Sequence, residues 1–81
     1  MDPADLLPLL RETAERASLE IRRERGASSG VIKLKGKVVA MMEPGTPPAE
    51  ECRLLIDALK RVDLGGIFVP PAVRDALDAP A

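Results

Sequence analysis

Val31-Ile32-Lys33-Leu34-Lys35-Gly36-Lys37-Val38-Val39-Ala40-Met41-Met42 repeats with a period of two rather than the 3.6 of a helix. Its even positions, Ile32, Leu34, Gly36, Val38, Ala40 and Met42, carry no polar side chain, while Lys33, Lys35 and Lys37 share the odd face. A period of two is that of the pleated strand, so the even side is expected against a core and the lysines in water. Two arrangements preserve the pattern. One is a single strand, the other a hairpin with the three-residue loop Lys35-Gly36-Lys37 that sets 34 opposite 38. A two-residue turn at Lys35-Gly36 ranks below both, because it pairs 34 with 37 and moves Lys37 among the apolar residues.

On the N-terminal side the period changes. Leu6, Leu10, Ala14, Ala17 and Ile21 recur at helical spacing and predict an amphipathic helix from an N-cap at Asp5 to near Arg25. That start leaves Pro8 in the first turn, where its missing N–H costs nothing. Arg11–Glu15, Glu12–Arg16 and Arg16–Glu20 are spaced to pair at i,i+4 on the far side. Arg22, Arg23 and Arg25 then suit the negative end of the helix dipole, and Gly26 the left-handed position that stops it.

On the C-terminal side, Pro44-Gly45 predicts a type II turn, followed by Thr46 as N-cap and a second helix. Cys52, Leu55, Ile56, Leu59 and Val62 form its buried stripe, Arg53–Asp57 and Asp57–Arg61 pair outside it, and Glu50-Glu51 answers the dipole at its start. Gly65-Gly66 ends it. Ile67-Phe68-Val69 reads as a brief edge strand, Pro70-Pro71 opens a short helix through Leu77, and residues 78–81 are expected to fray. The fold class is therefore α+β in the order α-β(β)-α-β-α. Two amphipathic helices pack on a small sheet within a single small domain, residues 1–81.

A chain of 81 residues builds a thin core. Its one cysteine excludes an internal disulfide, and the absence of histidine leaves a poor ligand set for zinc. A second copy of the chain is the remaining staple, so the sheet is expected to be completed by dimerisation. No stretch is long and apolar enough to span a membrane, and the acidic N-terminus is unlike a secretory signal. With a lone thiol, the cytoplasm is the expected compartment.

Without histidine the usual general base is missing, and Cys52 on an apolar stripe reads as structural rather than nucleophilic. No catalytic, cofactor-binding or metal-binding residue is therefore assigned, and the chain is expected not to be an enzyme. The charge distribution is uneven. Arg22, Arg23, Arg25, Lys33, Lys35 and Lys37 lie in one stretch with Glu24 as its only acid, while acidic residues dominate elsewhere. These six are the candidate polyanion-binding residues.

Gly65-Gly66-Ile67-Phe68-Val69-Pro70-Pro71-Ala72-Val73-Arg74-Asp75-Ala76-Leu77 resembles the strand–proline–helix corner of AbrB-like (SpoVT-type) DNA-binding antitoxins and transition regulators. In that family the corner comes early and further strands follow, whereas here four residues follow Leu77. The resemblance covers thirteen of the 81 residues, implies a dimeric DNA-binding regulator and names no site. The leading expectation is a non-catalytic protein-interaction module, a homodimer that presents a surface to a protein partner. The alternative is a small dimeric nucleic-acid-binding regulator or antitoxin-like protein using residues 22–37.

Overall fold

The computed structural model describes residues 1–79. The element order is α1 (Pro3–Arg16), β1 (Glu20–Arg23), β2 (Gly30–Leu34), β3 (Lys37–Met42), α2 (Pro48–Leu59) and α3 (Pro71–Asp78). The chain is α+β: three helices and one mixed three-stranded sheet. Among the described residues no helix is long and apolar enough to cross a membrane.

All three helices begin in one way. Pro3, Pro48 and Pro71 each take the first helical position, and the residues before them, Asp2, Pro47 and Pro70, are extended with ψ near 150°. A residue that precedes proline is pushed out of the helical region, and a proline at the first position loses no hydrogen bond. This sets two starts differently from the sequence reading. α1 is capped by Asp2, not Asp5, so Pro8 lies inside the helix. α2 is entered through Pro47, whose carbonyl accepts from Glu51 N–H at 3.0 Å, while Thr46 Oγ1 donates to Glu43 O at 2.6 Å and braces the Pro44-Gly45 turn.

α1 also stops early, nine residues before Arg25. Ser18 adopts φ 58°, with its N–H bonded to Glu15 O at 3.1 Å and that of Leu19 to Ala14 O at 2.9 Å. This pair of bonds is the Schellman stop, and Leu19 folds its side chain into the core beneath it. Residues 20–23 then form β1 instead of a last helical turn. The expected Arg16–Glu20 pair is lost with the helix, and Gly26 lies in a turn beyond the strand.

Residues 31–42 form a hairpin with the two-residue turn ranked lowest from sequence. Leu34 pairs with Lys37, and Lys35 and Gly36 have φ 52° and 79°. Two successive positive φ values make the turn whose twist matches a hairpin, and glycine accepts the second of them at no steric cost. The turn changes the face assignment of one strand only. Val38, Ala40 and Met42 of β3 face the helices as expected, but on β2 the odd residues Val31 and Lys33 share that side. Ile32 and Leu34 therefore point away from the helices, with Val39, Met41 and Lys37. Lys37 meets no penalty there because, among the described residues, no helix covers that side.

β3 is the middle strand, antiparallel to β2 and parallel to β1, with Ile21 beside Ala40 and Arg23 beside Met42. α1 and α2 pack on each other and α2 lies on the hairpin, so the core forms between the helices and one face of the sheet. Leu10, Ala14, Met42, Leu55, Leu59 and Val73 are wholly buried there. Residues 67–69 are not a strand, and the observed order replaces the expected α-β(β)-α-β-α. They follow a turn closed by Ile67 N–H to Leu64 O at 3.4 Å, and Pro70-Pro71 supplies no N–H for a ladder. Of the residues expected to fray, Asp78 is helical, Ala79 is extended, and Pro80 and Ala81 lie outside the described residues.

Candidate interaction surfaces

The six candidate polyanion-binding residues fall into two groups at opposite ends of the sheet. Arg22, Arg23 and Arg25 lie by the end of β3, whereas Lys33, Lys35 and Lys37 surround the hairpin turn at its start. Five steps of about 3.3 Å separate the two ends of that strand, about 17 Å. The lysines do not share a face: Lys33 lies on the helix side, Lys37 on the outer side and Lys35 in the turn. All three are exposed. Two of the arginines already hold carboxylates, Arg22 through Glu20 and Arg23 through Glu51. Arg25 is exposed in the following turn.

Glu51 lies in the first turn of α2 as read from the sequence, but it is buried rather than at the surface. It is 1% exposed, and its carboxylate holds three elements together. Arg11 of α1 donates from Nε to Oε2 at 2.7 Å and from Nη2 to Oε1 at 2.9 Å, and Arg23 of β1 donates from Nη2 to Oε2 at 2.7 Å. The Arg11 hydrogen bonds, aided by Arg23, outweigh burial and hold the Glu51 carboxyl at about 2. The signal was present: Glu51 stands four and seven residues before Leu55 and Ala58, on the buried side of α2. Arg11 thus pairs across the fold rather than with Glu15. Elsewhere Glu12–Arg16 and Asp57–Arg61 pair as spaced, and Arg53 takes Glu50 rather than Asp57.

Beside this cluster, between α1 and β1, an open cleft of about 540 Å³ is lined by Arg11, Glu15, Leu19, Ile21 and Arg23. On the far edge of the sheet the character is different. Ile32 is 44% and Leu34 40% exposed, both on β2, which among the described residues has no strand on its outer side. In a hairpin closed by a two-residue turn, Leu34, Ile32 and Gly30 direct their main-chain groups toward β3. Those of Val31 and Lys33 point outward.

Cys52 is buried. Its thiol lies 3.4 Å from the Pro3 carbonyl, and burial pushes its pKa up, so it is a poor nucleophile. Phe68, the sole aromatic residue, is 65% exposed with the Arg16 guanidinium 5.8 Å from its ring centre. The chain matches no protein-family model, no curated protein and no solved structure.

Proposed function

We propose that the chain is a non-catalytic protein-interaction module of the cytoplasm that works as a homodimer, the two copies meeting along β2. One observation carries this reading: the two exposed large apolar residues of the sheet, Ile32 and Leu34, lie on the strand whose outer main-chain groups are unpaired. An apolar edge of that kind is a template for another strand. A second copy suits it because a two-fold axis normal to the sheet sets a strand antiparallel to itself. With the axis at Ile32, Val31 meets Lys33 of the other copy through their outward main-chain groups. Leu34 then lies beside the other Gly30, where there is no side chain to displace. The result is a six-stranded sheet with Ile32 against itself. Its outer face is left to present to a protein partner.

The test is covalent. Ile32→Cys places two thiols in a non-hydrogen-bonded pair, a spacing that a disulfide spans, and buried Cys52 does not compete. Mild oxidation should give a dimer linked through position 32. Sedimentation equilibrium of the unmodified chain at micromolar concentration should give twice the chain mass. A monomer that unfolds cooperatively at all dilutions rejects the assembly.

The second reading is a nucleic-acid-binding regulator, favoured by the three exposed lysines at the hairpin turn. Binding of random duplex that collapses with added salt, and is lost when Lys33, Lys35 and Lys37 become Glu, would support it over the first.

A further inference from the structure

We infer that the cleft between α1 and β1 is a binding site for a single carboxylate carried on an apolar body. The guanidinium groups of Arg11 and Arg23 line it, and Glu51 uses only part of their donor capacity. Arg23 Nη1 adds a contact of 3.2 Å to Met42 Sδ. Among the described residues, Nη1 of Arg11 and Nε of Arg23 have no protein acceptor. The side chains of Arg11 and Arg23 remain 50% and 35% exposed. Glu51 holds the guanidinium groups in place, a fixed fork of the kind that recognises planar anions.

The charge count selects the anion. The two guanidinium charges are balanced by the ionised Glu51 and by Glu15 on the wall, so the cleft and its clasp carry no net formal charge. With no net charge to offset it, the desolvation cost of a phosphate dianion exceeds that of a carboxylate monoanion. Leu19 and Ile21 complete the wall and give an aliphatic body a surface to cover. The site lies by β1, at the opposite edge of the sheet from the proposed dimer contact, so neither inference depends on the other.

Hexanoate is the probe, with hexylammonium and inorganic phosphate as controls at constant low ionic strength. In amide NMR spectra of the full chain, hexanoate should shift the signals of Leu19 to Arg23, with an affinity on the order of ten millimolar. Hexylammonium should not shift them, and phosphate should act more weakly. Glu15→Gln removes the opposing charge from an exposed position and should tighten hexanoate binding about fivefold. Replacing Arg11, Glu51 and Arg23 together by Met leaves no orphaned charge and should abolish the shifts in a folded protein. Should that variant not fold, Glu15→Gln decides alone. Equal shifts with hexylammonium, shifts centred elsewhere, or no response to Glu15→Gln would overturn the site.

Discussion

Along β1 the sheet is tied to both long helices by charge, because Arg23 reaches the same buried carboxylate of α2 that Arg11 of α1 grips. Along β2 no ion pair is formed among the described residues: the strand shows Ile32 and Leu34 to solvent and directs main-chain groups outward. One three-stranded sheet thus has one edge stabilised within the chain and one left for another chain. A small domain with a thin core gains from the first, since a buried carboxylate with two guanidinium partners joins β1 to the packed pair of α1 and α2. It gains from the second only when a partner strand arrives.

The sharpest way to break this contrast is Glu51→Gln. The amide cannot neutralise two arginines, and the loss should be about 3 kcal/mol of unfolding free energy, read by urea denaturation. The same variant tests pH. In the fold Glu51 titrates at about 2, below its ordinary 4.5. The stabilisation is therefore complete above about pH 5 and is lost as pH falls toward 2, up to about 3 kcal/mol in all. The gap between the parent and Glu51→Gln should close over that window, and a gap independent of pH would show that ionisation is not its source.

A smaller effect, of opposite sign, is expected where α1 hands over to β1. Ser18 holds φ 58°, where a glycine has no Cβ to strain. Ser18→Gly should raise stability by about 0.5–1 kcal/mol, read by thermal melting, and a loss would mean the serine is needed at that stop. The smallest effect belongs to the other edge. Ile32→Lys should change the unfolding free energy of the isolated chain by less than about 0.5 kcal/mol. In sedimentation it should nevertheless separate the copies, because it sets like charges against each other at the axis. A cost of several kcal/mol in the monomer would mean that Ile32 belongs to the core.

What was legible in the residues followed strong local signals. The Pro44-Gly45 turn and the short helix after Pro70-Pro71 appear as read, because proline restricts the backbone and glycine accepts the positive φ such a turn needs. α2 keeps Cys52, Leu55 and Leu59 of its expected stripe but ends at Leu59, before Val62 and Gly65-Gly66. The end of α1 was not legible, since its apolar period runs on through Ile21 and the stop is made by a serine, which lacks the glycine signature. The hairpin misled for a related reason. Alternation favours the longer loop, but the twist of a two-residue turn prevailed because, among the described residues, the outer face lacks helices, so Lys37 could lie there freely. Glu51 was hidden by a sufficient local explanation: an acid in a first helical turn satisfies the dipole, and its burial depends on arginines 40 and 28 residues away.

The place of β3 between its neighbours has a consequence in time. β2 meets β3 across a turn of two residues, so this hairpin closes on the microsecond scale of local loops. β1 pairs with residues nineteen positions further on, and its Arg23 is anchored only once α2 has brought Glu51 into place. The strand made first on the ribosome is thus the last of the three to be locked. Until then the hairpin has two open sides, and amide protons of β1 should exchange ahead of those of β3 whenever the fold breathes.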